Sequence, residues 1–494
     1  LKAGADLELI KLIEGYKFEV LKGSTDINIT GIEHDSRKIQ KGNLFVAIKG
    51  FTVDGHDFIQ EAIDNGAICI LVQRDIQIED EGVTIIKVED TILALARLSS
   101  IFYGEPSKKL NLIGITGTNG KTSTTYMIKS IFEACHKKTG IIGTMGTIID
   151  GMVLDNINTT PESSLIQRYL KKMVDKGIQY CVMEVSSHSL DLKRVEYMDF
   201  QVGIFTNLTE DHLDYHKDME NYYKSKLKLF NMTSGCNIIN IDDEYGHRII
   251  NDLENPIPII TYGLDEKAHI YATDVVYHFR GVDFVLNSPK GSVPINLNLL
   301  GRFNVYNALA SAACAIYYDM DLYSIKDGLE SLRGIKGRFE LVPIDEDYNV
   351  IIDFAHTPDG LEQVLTTIRQ FAEGRIIVIF GAGGNRDRTK RPIMGETVAK
   401  YADLSIITSD NPRYEDPDKI IEDIIVGVER VNGKYIAITD RREAIEYALL
   451  NARPKDTILL AGKGHETYTI IKDKIIPFDE KQIVLDILKD IKKR

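Results

Sequence analysis

Short apolar runs recur along this chain, and most are followed by a polar or glycine-bearing turn and then by a stretch of helical periodicity. Near the N-terminus the runs fall at 44–48, 68–72 and 83–88. A helix expected over 91–103 closes this unit before Gly104-Glu-Pro106 breaks the pattern. A second series starts at 110–116 and continues at 139–143, 180–184, 201–206, 237–241 and 257–262. Strand-length runs separated by helices predict a mostly parallel sheet covered by helices. Over 268–300 the period changes to two, as in Ile270-Tyr-Ala-Thr273 and Val282-Asp-Phe-Val-Leu286, which predicts a few antiparallel strands appended to the second unit. Helices expected over 304–318 and 324–332 lead to Gly334-Ile-Lys-Gly-Arg-Phe339, the next break. Beyond it the runs end at Phe354, Phe380, Thr408, Ile438 and Ala461, each before a polar motif and a helical stretch. The expected fold class is therefore α/β with three domains. A small N-terminal α/β domain covers 1–105, a central parallel-sheet domain with an antiparallel appendage covers 106–335, and a C-terminal Rossmann-like domain covers 336–494.

Composition narrows the function. A chain of 494 residues is too long for one core. Its net charge of −14 argues against a nucleic-acid backbone partner, so any phosphate site must concentrate positive charge locally. The five cysteines (Cys69, Cys135, Cys181, Cys236, Cys314) are scattered through apolar runs, as expected of reduced thiols in a cytoplasmic protein. Asp6 and Glu8 stand where a signal peptide would need cations, and the apolar stretch 308–318 is too short to cross a bilayer.

The strongest chemical signal is the segment Leu110-Asn-Leu-Ile-Gly-Ile-Thr-Gly-Thr-Asn-Gly-Lys-Thr-Ser123. A strand, a glycine loop, Lys-Thr and a helix start are the parts of a phosphate-binding loop. Backbone N–H groups of Gly117, Thr118, Asn119 and Gly120 can close on phosphate oxygens, with Lys121 on the β/γ-phosphates and the Thr122 hydroxyl available to Mg²⁺. The general pattern puts its first glycine at 115, where this chain has Ile; Gly114 comes one residue early. The central domain is thus expected to be a P-loop ATPase domain. In the third unit, His356-Thr-Pro358, the stretch from Gly381 to Arg388, Asp410-Asn-Pro-Arg413 and Gly462-Lys-Gly-His-Glu466 all follow strand ends, where doubly wound sheets bind ligands.

Taken together with His34-Asp-Ser-Arg37, Asn158-Thr-Thr-Pro161, Glu184-Val-Ser-Ser-His188, Thr206-Asn-Leu-Thr-Glu-Asp-His212, Gly301-Arg-Phe-Asn304 and Asp353-Phe-Ala-His356, these motifs make the chain resemble the Mur ligases of bacterial cell-wall synthesis. The resemblance covers essentially the whole chain and the order of its motifs. It implies an ATP-dependent amide ligase whose first domain binds a uridine nucleotide, whose second binds ATP with Mg²⁺, and whose third brings in an amino acid. ATP would convert a carboxylate to an acyl phosphate, which an amine then displaces. The implied substrates are UDP-N-acetylmuramoyl-L-alanyl-D-glutamate and meso-diaminopimelate, in the cytoplasm, with no nucleic acid, membrane insertion or obligate protein partner. An L-lysine-adding ligase, another Mur or folylpolyglutamate-type ligase, and a switch that only hydrolyses ATP are the alternatives.

By resemblance Glu184 and His212 join Thr122 around the metal. Taken alone, Glu184 reads as a helix-capping carboxylate and His212 as a surface residue. Lys224, Lys226 and Lys228 read by composition as a solvated helix face; by resemblance Lys226 is the lysine that CO₂ converts to a metal-holding carbamate. Ser123 and Asn304 would lie by the nucleotide, and Arg338 and His356 near the acyl phosphate. The nucleotide-sugar peptide falls to Ser36, Thr159, Thr160, Ser186 and Arg194; Leu192 stands where some relatives carry glutamine. For the amino acid, Arg413 ends a motif whose arginine marks diaminopimelate-adding relatives. Arg386, Asp410, Asn411, Pro412, Gly462 and Glu466 complete that group, and a guanidinium fork suits the extra carboxylate that distinguishes diaminopimelate from lysine.

Overall fold

The computed structural model describes residues 6–50, 53–80, 82–278 and 281–493. Three α/β units follow one another, each built on its own sheet. The first sheet runs Glu19–Lys22, Thr84–Lys87, Ala67–Val72, Asn43–Val46, Gly31–Glu33, parallel except for its first pair. Three of these strands are the expected ones. Glu19–Lys22 and Gly31–Glu33 are short edge strands whose few apolar side chains give no periodic signal. The closing helix, Thr91–Phe102, starts at Asp90, whose side chain accepts from the Leu93 N–H.

The central sheet has eleven strands. Its parallel body runs Thr139–Gly143, Tyr180–Glu184, Asn111–Thr116, Phe200–Phe205, Thr233–Asn240, Ile259–Gly263. The period-two segment forms Ile270–His278, Gly281–Ser288 and Gly291–Leu297, antiparallel to one another as expected. This is no separate layer: Ile270 pairs in parallel with Tyr262, so the same sheet continues. The opposite edge carries a hairpin, Gly146–Ile149 with Met152–Leu154, that the sequence pattern does not announce. Helices Lys121–Ala134, Arg302–Tyr317 and Leu322–Ser331 cover one face, and Ser163–Asp175 covers the other.

The third sheet runs Glu340–Leu341, Asn349–Asp353, Thr457–Ala461, Ile376–Phe380, Leu404–Ile407, Tyr435–Ala437. Its five parallel strands are the five expected runs, and helices bury both faces. A separate hairpin, Tyr468–Ile471 with Lys474–Pro477, packs beside them. No helix among the described residues is long and apolar enough to cross a membrane. All five cysteines are free, and four are buried.

Candidate active site

The strand Asn111–Thr116 delivers the chain into Gly117–Gly120, and the helix Lys121–Ala134 leaves it. A Cβ at Gly117 would stand 1.8 Å from Thr206 Oγ1, and one at Gly120 would stand 2.4 Å from Asn307 Oδ1. Both glycines also have φ in the range that L side chains rarely adopt, so the loop needs them. Thr206 and Asn207, just past the next strand, clamp it. The Thr206 hydroxyl donates to Asn119 O, the Thr118 N–H donates to Asn207 O, and the Asn119 N–H donates to Asn207 Oδ1. The early glycine also has a physical reason. A Cβ at Gly114 would press on Phe200 and Leu229 at 2.8–2.9 Å, whereas Ile115 is buried in the core.

Two ammonium groups meet at this loop. Lys121 Nζ donates to Gly117 O (2.7 Å) and Thr118 O (2.8 Å), and Lys226 Nζ donates to the same Gly117 O at 2.9 Å. Lys226 is 2% exposed and lies over the Tyr222 ring, while its neighbours Lys224 and Lys228 have side chains 63% and 44% exposed. The solvated-face reading therefore fails for Lys226 and holds for the other two. Burial, and then the Lys121 charge, push the Lys226 ammonium well below its usual range.

The Thr122 hydroxyl donates to Glu184 Oε2 at 2.9 Å and accepts from Arg338 Nη2 at 3.2 Å. Glu184 is buried and also accepts from the Thr144 N–H and hydroxyl. It caps no helix. Arg338 is desolvated, and its guanidinium lies over Phe354. His212 sits at positive φ with Nε2 3.3 Å from Asp211, its ring 4.8 Å from that of His188. Burial holds His356 below the usual histidine range. The His212 side chain is 43% exposed, as its reading alone as a surface residue has it, yet partial desolvation and the nearby His188 and Lys226 still lower it, so both rings are neutral near pH 7. Asp211 joins the third unit through Lys390 at 3.9 Å. Ser123 is buried in the first helical turn, and the Asn304 carboxamide is engaged with Leu300 O and Asn307.

Four of the five nucleotide-sugar candidates converge beside Glu184. The Thr160 hydroxyl donates to Glu184 O, the Ser186 N–H donates to Thr160 Oγ1, and Arg194 donates to Thr160 O while pairing with Glu162 at 2.5 Å. The Thr159 hydroxyl meets that of Thr144 at 3.0 Å. Ser36 stands apart on the first unit, donating to Glu61, although the neighbouring His34 feels the charges of Glu162 and Arg194. Thr144, which links Glu184 to Thr159, was not singled out in the sequence; its only signal is its place directly after a buried strand.

The amino-acid candidates gather on the third unit. Arg413 is half-buried at positive φ, and Nη1 donates to Gly384 O at 2.9 Å. The charges of Arg386, Asp410 and Glu466 all reach it. Gly384 is pressed against Pro412 O, and the Gly462 N–H donates to Asp353 O. Asn411 donates to Glu466 and accepts from the Ile470 N–H. Burial and Asp410 push the Glu466 carboxyl up.

Family models match in the same order: "Mur ligase family, catalytic domain" over 28–103, "Mur ligase middle domain" over 115–315, and "Mur ligase, glutamate ligase domain" over 337–464. The UDP-N-acetylmuramoyl-L-alanyl-D-glutamate–2,6-diaminopimelate ligase of Caldanaerobacter subterraneus subsp. tengcongensis is 47% identical over 99% of this chain and 100% of its own length. Its namesake from Clostridium perfringens is 46% identical over 97% and 99%. A solved structure of a ligase of that name aligns at 30% identity with a TM-score of 0.67, covering 99% of this chain and 100% of its own. The MurF structure from Acinetobacter baumannii shares the fold at 21% identity and a TM-score of 0.70, covering all of both chains.

Proposed function

The chain belongs to the Mur ligase family, and on that premise we infer that it is an ATP-dependent amide ligase adding meso-diaminopimelate to UDP-N-acetylmuramoyl-L-alanyl-D-glutamate in peptidoglycan precursor synthesis. Full-length similarity at 47% identity carries this reading. We place the reaction in the cytoplasm, where ATP and the nucleotide-linked acceptor are available. Residues 1–105 would hold the uridine nucleotide, 106–335 ATP, and 336–494 the amino acid.

Hydroxide is a poor leaving group, so the acceptor carboxylate must be activated. Its oxygen attacks the γ-phosphorus of ATP, the bond to the β-bridging oxygen breaks, and ADP leaves an acyl phosphate. The diaminopimelate amine, having lost a proton, attacks the carbonyl carbon, and inorganic phosphate departs. The first step moves a phosphoryl group between anions, so its catalysis is charge neutralisation and alignment. Lys121 serves that purpose on the β/γ-phosphates, exchanging its two carbonyl partners for phosphate oxygens. Arg338, desolvated beside Thr122, faces the charge that develops on the transferred group. Neutral His356 at the edge of the third unit is able to take up a proton.

Mg²⁺ fits the residues present. Thr122 Oγ1 and Glu184 Oε2 are paired hard oxygen donors, and by resemblance His212, a neutral imidazole, would add a nitrogen. An ion that retains much of its water needs few protein ligands. Magnesium would neutralise charge on the nucleotide phosphates. We take Lys226 as the carbamylated lysine: its depressed ammonium would yield the neutral amine that attacks CO₂, releasing a proton and leaving an anion beside Lys121.

The amino-acid preference rests on Arg413. Lysine in this pocket would leave a half-buried guanidinium without its carboxylate, at a cost on the order of 2–4 kcal/mol, or roughly 30- to 1,000-fold in kcat/KM. The test is kcat/KM for both amino acids with the UDP-linked dipeptide. Equal values, or a preference for lysine, would overturn the assignment. Arg413→Ala is expected to lose diaminopimelate activity far more than any residual lysine activity.

A further inference from the structure

Lys463 belongs to the Gly462-Lys-Gly-His-Glu466 motif, yet the chemistry above gives it no task. Its side chain is 0% exposed. An ammonium leaves water only where acceptors and opposite charge replace its hydration. Here Nζ donates to Tyr468 O at 2.7 Å and to Asn411 Oδ1 at 3.3 Å, and it stands 3.6 Å from Glu466 Oε2 and 4.0 Å from Asp410 Oδ1. One buried cation therefore touches two residues of the Asp410-Asn-Pro-Arg413 motif, the Glu466 carboxylate and the hairpin that begins at Tyr468.

That hairpin in turn holds Arg413. The Arg413 N–H donates to Ile470 O, the Lys472 N–H donates to Arg413 O, and the Ile470 N–H donates to Asn411 Oδ1. Burial acts first on Glu466, then Asp410, Lys463 and Arg413, with a hydrogen bond from Asn411; Tyr468 feels the Glu466 charge, and Arg386 stands beyond, by Arg413. Without Lys463, two buried carboxylates would share the pocket with too little opposing charge, and one would take up a proton.

We propose that Lys463 is a positioning residue for amino-acid selection, keeping Glu466 a carboxylate for the distal ammonium and holding the hairpin that aims Arg413 at the distal carboxylate. This rests on the reading that the pocket takes the far end of diaminopimelate. Lys463 acts through Glu466 and Arg413 and touches no reacting atom.

The test is the pH profile of KM for diaminopimelate, with kcat followed separately. In Lys463→Met, KM at pH 7 is expected to rise about 10- to 100-fold with kcat little changed, and the pH below which KM climbs moves up by about one unit or more. A merely structural role would raise KM equally at every pH. An unshifted break in a folded Lys463→Met protein overturns the proposal. If that variant does not fold, Lys463→Met/Glu466→Gln decides. Recovery of a folded protein whose KM no longer climbs on the acid side supports the pairing. A break like that of the parent, or a second failure to fold, overturns it. The parent enzyme separates the two readings: indifference to diaminopimelate in the unmodified protein refutes the function, whereas an unshifted break in a diaminopimelate-using enzyme refutes only the role of Lys463.

Discussion

Gly117 O accepts from both Lys121 and Lys226, so one carbonyl marks the point where the nucleotide loop and a distant helix meet. Removing either ammonium is expected to have different consequences. Lys121→Ala is expected to leave the fold intact, since among the described residues the side chain hydrogen-bonds within its own loop, and phosphoryl transfer to fall by a factor on the order of 10²–10³ or more. Near-normal ligation by a well-folded variant would remove Lys121 from the phosphate role. Lys226→Ala is expected to be nearly inactive and partly restored by acetate or formate, which can replace the missing carbamate. Lys224→Ala and Lys228→Ala should be mild, because those side chains face solvent. Electron density at high resolution showing a bare ammonium at 226 in active, Mg-loaded enzyme would sink the carbamate.

At the scale of elements, the helix Met219–Met232 must lie close to the strand Asn111–Thr116 for Lys226 to reach the loop. Gly114 permits that approach, since Leu229, one turn beyond Lys226, packs where a Cβ would stand. Gly114→Ala is therefore expected to cost about 1–3 kcal/mol of stability, seen as a lower urea midpoint, and to depress ligation through displacement of Lys226. Unchanged stability and activity would show that this contact is slack. The Gly-first pattern of ordinary phosphate loops is thus shifted here by helix packing, not by a change in phosphate chemistry.

Across the whole molecule, the third unit already touches the nucleotide loop. Asp359 accepts from Asn119 Nδ2 at 2.8 Å and from the Thr209 hydroxyl at 3.2 Å, and Arg338 reaches Thr122. An acyl phosphate must be shielded from water, so the units are expected to close further around an ATP analogue and the UDP-linked acceptor, with a smaller radius of gyration in solution scattering. Identical dimensions with and without ligands would count against closure. Acid stability is a second property of the whole. Burial lowers His216 in the central unit and His465 in the third to about 4. Their unfolded values lie near 6.5, so the unfolded chain binds protons first as pH falls. The stability these neutral rings contribute is complete above about pH 6.5 and is lost progressively down to about pH 4. A Tm that stays flat from pH 7 to 4.5 would contradict this.

The sequence by itself determined the features whose information is contiguous. The phosphate loop is read in one segment, the parallel strands are short apolar runs between helices, and the five parallel strands of the third sheet each end at a polar motif. Even the switch to antiparallel pairing shows as a change of period at 268–300, though its fusion into the eleven-stranded sheet does not, because edge pairing depends on which strand lies alongside. Short strands such as Gly31–Glu33 and the hairpins at 146–154 and 468–477 carry too little periodic signal to be seen. What only the tertiary structure decided is burial and pairing at long range. Three lysines alternate at 224, 226 and 228 with identical chemistry, and only helix packing buries the middle one beside a carbonyl 109 residues away. Lys463 is read in the sequence only as part of a polar motif after a strand end, and nothing there shows that it lies wholly buried among Asp410, Asn411, Glu466 and Tyr468. A side chain's local sequence fixes its charge and reach; its solvation is fixed by residues that arrive from elsewhere in the chain.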